Sequence, residues 1–206
     1  MISGKEALER LREGNRRFAA DAATHDGAGR TRREALSRGQ EPFAVILGCS
    51  DSRVPAELVF DQGLGDLFVI RVAGNIVAPS QVGSVEFAVE QFGTRLVVVM
   101  GHSHCGAVKA TLDELERNRE ARSPNLRSIV SRIRPAVETL LETDLARDRE
   151  ALEAHAIRAN IRAAAHQLRT GSAILEQLVK KEGLLVVGAE YSLETGVVDF
   201  FEGVPD

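Results

Sequence analysis

Four short runs of apolar residues constrain the fold of this 206-residue chain more than any other feature. The runs cover residues 43–47, 67–72, 96–100 and 184–187. They do not alternate regularly between apolar and polar side chains. Runs of this kind and length are typical of strands that are covered on both faces. We therefore predict four buried strands of a mostly parallel sheet.

Segments with helical patterns separate these runs. They cover residues 55–60, 80–92 and 106–118, followed by 124–143, 145–168 and 171–181. Strands that alternate with helices indicate an α/β domain built on a parallel sheet. Turn residues within 191–201, followed by Val197, Val198, Phe200 and Phe201, predict a final hairpin strand at one edge. The predicted fold is thus α/β, with four parallel strands plus a fifth edge strand, flanked by helices.

The amino-terminal segment predicts a helix that stands apart from this alternation. Ala7, Leu8, Leu11 and Phe18 lie near helical spacing, with charged residues between them, so residues 3–18 form an amphipathic pattern. Residues 21–30 are small and polar and indicate a loop. We predict an N-terminal helical arm over 1–35 that reaches over a neighbouring subunit, and an α/β domain over 36–206. The alternative, a helix packed on its own domain, stays open.

Charge and composition exclude several classes of partner. The formal net charge is -4, which argues against nucleic acid and against an anionic membrane surface. No apolar run approaches the ~18 residues of a membrane span, and the first residues lack the pattern of a signal peptide. Two cysteines do not make a disulfide framework. We therefore expect a cytoplasmic protein without a nucleic-acid or membrane partner.

Metal-binding residue types follow two of the predicted strands. Cys49, Asp51 and Arg53 come after the first strand, and His102 and Cys105 come after the third. In open α/β sheets, sites form beyond the carboxyl ends of strands, and zinc prefers thiolate and imidazole ligands. We favour His102 because its spacing from Cys105 lets a tight turn aim both inward. His104 stands beside Cys105, so its side chain is expected to diverge, and it is a candidate proton relay.

Three protein ligands with an open fourth position are the pattern of a catalytic zinc. Arg53 suits a carboxylate partner, so it can hold Asp51 off the metal and aim it at the open position. Asp51 can instead close the shell as the fourth ligand, which is the pattern of a structural site. The residues alone predict a zinc hydrolase or lyase of a small substrate. A redox dithiol is disfavoured because the cysteines lack Cys-x-x-Cys spacing.

Four segments resemble the β-class carbonic anhydrases. They are CSDSRVPAELVFDQGLGDLFVIRVAGN at 49–75, GHSHCGAVKA at 101–110, REGNRRF at 12–18 and GAEYSLETGVVDF at 188–200. The resemblance covers nearly the whole chain. It implies reversible hydration of CO2 to bicarbonate and a proton through a zinc-bound hydroxide. It also implies a parallel sheet extended by one further strand, and an amino-terminal arm that embraces the partner subunit.

The resemblance also implies roles for particular residues. One Zn²⁺ per chain would be held by Cys49, His102 and Cys105, with Asp51 and Arg53 as the catalytic pair. The substrate pocket would contain Phe68 and Ala73, with Gln40 and Phe87 contributing across a dimer interface. A homodimer, often paired into a homotetramer, is implied as the assembly. Two thiolate ligands donate more charge than imidazoles, so we expect activity to rise toward alkaline pH.

A regulated state of some family members is only partly implied here. In those members the aspartate ligates zinc while bicarbonate fills a nearby pocket, which a tryptophan three residues before the first zinc cysteine helps to form. Ile46 stands at that position, and the chain contains no tryptophan. A residue that helps to form the bicarbonate pocket is therefore missing, and both that pocket and a closed state with Asp51 as fourth ligand stay open. A related zinc hydrolase acting on carbonyl sulfide or carbon disulfide is a further alternative.

Overall fold

The computed structural model describes residues 2–24, 28–117 and 123–205, and its centre is a five-stranded sheet. The strand order is β2-β1-β3-β4-β5. The first four strands run parallel, and β5 pairs antiparallel with β4. This confirms the predicted α/β fold with a mostly parallel sheet and an added edge strand. The strands are β1 Ala44–Gly48, β2 Leu67–Arg71, β3 Leu96–His102, β4 Leu185–Tyr191 and β5 Val198–Glu202.

Helices cover both faces of the sheet. The α-helices are α1 Gly4–Ala19, α2 Arg30–Leu36, α3 Ala56–Val59, α4 Pro79–Gln91, α5 Gly106–Arg117, α6 Pro124–Val137, α7 Arg149–Thr170 and α8 Ala173–Lys181. Short 3-10 helices occur at Ala73–Asn75, Glu138–Glu142 and Asp144–Arg147. Among the helices of the described residues, none has the length and apolar character needed to cross a membrane.

The core consists of two layers, one on each face of the sheet. On β1, Val45 and Leu47 belong to the larger cluster, which includes apolar residues of α4 to α8. Ala44 and Ile46 point the other way, into a cluster with α1 and α3. All five residues of β1 are buried. The strand is therefore covered on both faces, which is the physical reason for its continuous apolar run.

Helix α1 packs against its own chain. Ser3 caps it through a capping box with Glu6, which accounts for the start of the helix at Gly4. The apolar stripe, including Leu8 and Leu11, is buried against α3 and the sheet. The apolar stripe of α1 is thus packed on its own domain, as the alternative prediction had it. The division into an arm over 1–35 and a domain over 36–206, with the arm embracing a partner, stays a prediction.

Several helix boundaries differ from the sequence prediction, and polar side chains cap the chain at two of them. The helix predicted over 124–143 ends at Val137 and continues as the 3-10 helix Glu138–Glu142. The side chain of Asp148 accepts from the backbone N–H of Ala151, so α7 begins at Arg149. The hydroxyl oxygen of Ser172 accepts from the backbone N–H of Leu175 in the same way, so α8 begins at Ala173.

Helix α2 was not predicted, since residues 21–30 indicated only a loop and the residues beyond them gave no apolar stripe. None of its residues is buried, so it has no apolar face for a sequence pattern to reveal. The helix predicted over 106–118 is α5, which extends to Arg117. Asn118 lies outside the described residues, as do residues 25–27 of the predicted loop.

Candidate metal centre and active site

Cys49, His102 and Cys105 meet at the edge of the sheet where β1 and β3 end. Cys49 directly follows β1, His102 is the last residue of β3, and Cys105 immediately precedes α5. The parallel register pairs Gly48 with Met100, which brings the two strand ends together. One ligand atom of each residue lies within 4.8 Å of the others. All three are buried, with at most 5% of each residue exposed.

The imidazole of His102 is oriented as a metal ligand. Its Nδ1 lies 2.8 Å from the carbonyl oxygen of Ser103, which requires a proton on Nδ1. Nε2 is then the free acceptor, and it is buried without a hydrogen-bond partner among the described residues. An unpaired buried polar atom is costly, and a metal-ligating histidine typically anchors its other nitrogen on a carbonyl or carboxylate. The ring therefore fits a cation at Nε2.

The two cysteine sulfurs lie close to each other, and this separates the pKa values of their thiols. Interaction with Cys105 lowers the pKa of Cys49 to about 4, with smaller contributions from His102 and from the N–H groups of Gly74 and Asp51, while burial opposes the shift. Interaction with Cys49, together with burial, raises the pKa of Cys105. A thiolate is the form of cysteine that binds metals. The pair thus presents negative charge and a displaceable proton, the donor chemistry that suits zinc.

His104 points away from this group. It has a left-handed backbone, with φ of 55°, and its Nε2 lies 2.6 Å from Oε1 of Glu194. The hydroxyl of Ser103 donates to the other oxygen of Glu194. The structure therefore brings His102, and not His104, to the cysteines. The relay role of His104 stays a prediction.

Asp51 and Arg53 form a doubly bonded pair beside the metal-binding group. Nε of Arg53 donates to Oδ1 at 2.9 Å, and Nη2 donates to Oδ2 at 2.8 Å. The backbone N–H of Arg53 donates to Oδ1 as well. The guanidinium is the main cause that holds the pKa of Asp51 well below its usual range. Oδ2 of Asp51 lies 3.9 Å from Nε2 of His102, so the carboxylate borders the site while it is paired with Arg53.

Arg71 is a site residue that the sequence reasoning missed. It is the last residue of β2, opposite Gly48 of β1. Its Nε donates to the carbonyl oxygen of Cys49 at 3.0 Å, and its Nη2 donates to that of Asp51 at 2.6 Å. It therefore braces the loop that carries both residues. The signal was present, because Arg71 interrupts an otherwise apolar run.

Gly74 is a second missed residue, in the 3-10 turn after β2. Its N–H donates to Sγ of Cys49 at 3.4 Å. Its φ of 72° lies in the left-handed region, and an added Cβ would lie 2.8 Å from Ile133 Cδ1 and 3.0 Å from Ala107 Cβ. Both the backbone and the space therefore require glycine. Its neighbour Asn75 is buried and also left-handed.

The predicted substrate-pocket residues fall into two groups. Ala73 is the first residue of the 3-10 turn that contains Gly74, and the N–H of Gly74 donates to Sγ of Cys49. Phe68 and Phe87 lie 6.2 Å apart between ring centroids, and Phe92 contacts both rings. Gln40 lies instead in a groove of about 620 Å³ that is also lined by Arg10, Phe43 and Phe92, among others. That groove includes none of the three metal-binding residues.

Ile46 lies in the core rather than at a pocket. It is fully buried on β1 and faces the layer that contains α1 and α3. Its register partners are Val69 and Val98. All three side chains at this level of the sheet are apolar, which offers no polar contact to an anion.

Comparisons with known proteins agree with one another. A family model described as carbonic anhydrase matches residues 44–198, which include every predicted site residue except Gln40. The chain is similar to a carbonic anhydrase of Mycolicibacterium smegmatis, with 40% identity over 193 residues, covering 94% of this chain and 91% of that protein. The matched region thus contains both cysteine segments.

Solved structures show the same similarity. The β-carbonic anhydrase CcaA is 29% identical, with a TM-score of 0.75, covering 97% of this chain and 90% of that chain. One of two tetrameric β-carbonic anhydrases from Sordaria macrospora has a TM-score of 0.74, covering 95% of this chain and 97% of that chain. At 22% identity, this second likeness supports the fold alone.

Proposed function

Because the chain belongs to the β class of the carbonic anhydrase family, we propose that it is a lyase that catalyses reversible hydration of carbon dioxide to bicarbonate and a proton. The observation that carries the proposal is the buried group of Cys49, His102 and Cys105, with ligand atoms within 4.8 Å of one another. Two sulfurs and one imidazole nitrogen fit one Zn²⁺ per chain, and three protein ligands leave a fourth position for catalysis.

The metal's chemical contribution is that of a Lewis acid, which makes water nucleophilic near neutral pH. The protein holds the donors in place for it. The carbonyl oxygen of Ser103 keeps His102 in the tautomer with a free Nε2. The N–H of Gly74 points at Cys49, and Arg71 fixes the backbone around that cysteine. These partners reduce the freedom of the ligands before any metal arrives.

Asp51 is proposed to orient the attacking water. An ionised carboxylate only accepts hydrogen bonds, so it would accept a hydrogen bond from that water and leave an oxygen lone pair facing the substrate. Three hydrogen bonds from Arg53 support this role, since they keep Asp51 ionised and hold it in place. In a closed state, where Asp51 is the fourth ligand, the carboxylate would have to give up part of this pairing.

Carbon dioxide is proposed to bind against apolar side chains contributed by two subunits. Phe68 and Ala73 lie on β2 and on the turn that follows it, whereas Phe87 leaves 52% of its surface exposed in the single chain. The exposed ring, together with Gln40 in its separate groove, supports a homodimer in which these residues complete a partner's site. A homotetramer is the larger assembly we propose, because the resemblance to the β class implies dimers that often pair.

We place the protein in the cytoplasm. Both cysteines are free thiols in the structure, which suits a reducing compartment. The predicted arm over 1–35 and domain over 36–206 would then belong to a cytoplasmic homo-oligomer, without a membrane or nucleic-acid partner.

Parallel assays of zinc-loaded protein with carbon dioxide, carbonyl sulfide and carbon disulfide test the substrate. We expect rapid turnover of carbon dioxide, with the sulfur analogues slower or inert, because all three molecules are linear but sulfur is larger than oxygen and needs more room beside the metal. Preference for a sulfur analogue would reassign the chain to a related hydrolase. Absence of turnover with all three, in protein that retains zinc, would indicate a structural metal site.

A further inference from the structure

Gly74 is held at both of its backbone polar groups, and one partner comes from a distant helix. Its N–H donates to Sγ of Cys49 at 3.4 Å. Its carbonyl oxygen accepts from Nδ2 of Asn160 at 2.8 Å. Asn160 lies on α7, only 3% exposed, and is 86 residues further along the chain. The helix that supplies this contact contributes no candidate metal ligand.

The turn that contains Gly74 depends on its surroundings. Gly74 and Asn75 both adopt positive φ, at 72° and 43°, and a left-handed asparagine carries a backbone cost. Such a conformation persists only where neighbouring structure enforces it. Ile133 of α6 and Ala107 of α5 crowd Gly74 from one side, while Asn160 provides a hydrogen bond from α7.

Helix α7 also sits against the strand that carries His102. Ile161, the residue after Asn160, is fully buried. An added Cβ at Gly101 would lie only 2.6 Å from Cδ1 of Ile161, so the helix is in close contact with β3 just before His102. One helix therefore touches both the turn that points at Cys49 and the strand that ends in His102. Asn160 supplies the polar contact to the turn, and Ile161 packs against the strand.

We propose that Asn160 is a positioning residue of the metal centre. By holding the carbonyl oxygen of Gly74, its amide aims the Gly74 N–H at the sulfur of Cys49 and fixes that sulfur relative to His102. Asn160 acts through Gly74 and contacts neither substrate nor metal. The inference rests on the zinc site proposed above and extends it to α7. Removing a hydrogen-bond partner that supports a metal ligand typically lowers metal affinity by about 10–100-fold.

The test is the zinc affinity of Asn160→Leu, measured by competition with a chromogenic chelator. Leucine has a similar size but no donor, and we expect zinc affinity to fall by about 10–100-fold. The matched control is Asn15→Leu. Asn15 is also a buried asparagine on a helix, and its Nδ2 donates to the carbonyl oxygens of Val59 and Gly196. This control should lose stability yet bind zinc like the wild type.

A second readout separates positioning from general stability. With Co²⁺ in place of zinc, the thiolate-to-cobalt absorption bands should shift in Asn160→Leu and stay unchanged in Asn15→Leu. Asn160→Ser, whose hydroxyl is too short to reach the carbonyl, gives the same test should the leucine variant not fold. Wild-type affinity and spectrum in a folded Asn160 variant would overturn the inference, as would an equal change in the control. A wild-type protein that binds no zinc would overturn the proposed function as well.

Discussion

Asp51 has two geometrically possible roles, and its pairing with Arg53 distinguishes them. As a fourth ligand it would close the site, whereas as a partner of Arg53 it borders the group of Cys49, His102 and Cys105. The carboxylate accepts from both the side chain and the backbone of Arg53, and its pKa is held below the usual range mainly by that side chain. Charge-assisted bidentate pairs are among the stronger protein hydrogen bonds. The catalytic role is therefore the one that the contacts favour.

Replacement of Asp51 tests this role at the level of one residue. Asp51→Ala should lower kcat/KM by about 10–100-fold while zinc content stays near one per chain, because the change removes a group that orients water and leaves the three ligands. Stopped-flow hydration and metal analysis measure both. Asp113→Ala is the control, since Asp113 also pairs with an arginine, Arg149, but on α5 and α7. Loss of zinc in Asp51→Ala would instead indicate a ligand role.

Some site residues are positioned by structure close to them in the sequence, and others by contacts with distant parts of the chain. Cys49, Asp51 and Arg53 lie within five residues of one another, and the end of a buried strand places them, so the sequence could indicate them. Asn160 reaches Gly74 across 86 residues, a contact that depends on how α7 packs on the sheet. Sequence spacing does not encode such packing. Arg71 is an intermediate case. The sequence shows a charge within an apolar run, but it does not show that this side chain donates to the carbonyl oxygens of Cys49 and Asp51.

The turn between β4 and β5 supports the loop that contains His104. Hydroxyl groups of Ser103 and Ser192 donate to Oε2 of Glu194, and the N–H of Leu193 donates to Ser103. The pKa of Glu194 is lowered to about 2, first by its own backbone N–H and then by Ser103 and Ser192, with a smaller contribution from His104. The ionised carboxylate thus links two loops that leave the same edge of the sheet.

This linkage gives a pH dependence of stability. A carboxyl group with a lowered folded pKa stabilises the fold above its ordinary pKa of 4.5 and loses that effect as the pH falls toward 2. Glu194→Gln should therefore lower the thermal midpoint most at neutral pH, with the difference from wild type shrinking in acid. Thermal unfolding of the metal-free proteins measures this without zinc release contributing. A difference that is independent of pH, or that grows in acid, would contradict the assignment.

The sequence predicted the elements that have a strong apolar pattern, but it did not predict the helix boundaries that side-chain caps define. The four parallel strands follow from continuous apolar runs, because burial on both faces leaves that mark in the sequence. The starts of α7 and α8 depend on local hydrogen bonds, from Ala151 to Asp148 and from Leu175 to Ser172. Helix α2 has no buried residue, so no periodicity revealed it.

At the scale of the whole molecule, exposed aromatic surface indicates where subunits would meet. Phe87 is 52% exposed and forms a cluster with Phe68 and Phe92. Phe92 also lines the groove that contains Gln40. Phe92 therefore contacts one group of predicted pocket residues and lines the groove that contains the other. In the proposed homodimer, a second chain would cover the exposed ring of Phe87.

Phe87→Asp tests the assembly. We expect the mass measured by analytical ultracentrifugation to fall from an oligomer toward a single chain, because a charge would have to be buried in an apolar contact. Hydration activity should fall with it. Leu126→Asp is the control, as Leu126 is 56% exposed on α6, and it should leave both mass and activity unchanged. An oligomeric and active Phe87→Asp protein would place the interface elsewhere.

The most direct test of the central claim is stopped-flow hydration of carbon dioxide by protein with a measured metal content, at about pH 7 and about pH 8.5. We predict about one zinc per chain and a kcat/KM of about 10⁴ M⁻¹s⁻¹ or more, higher at the more alkaline pH. Full zinc occupancy without hydration at either pH would contradict the claim that Cys49, His102 and Cys105 form a catalytic centre for carbon dioxide.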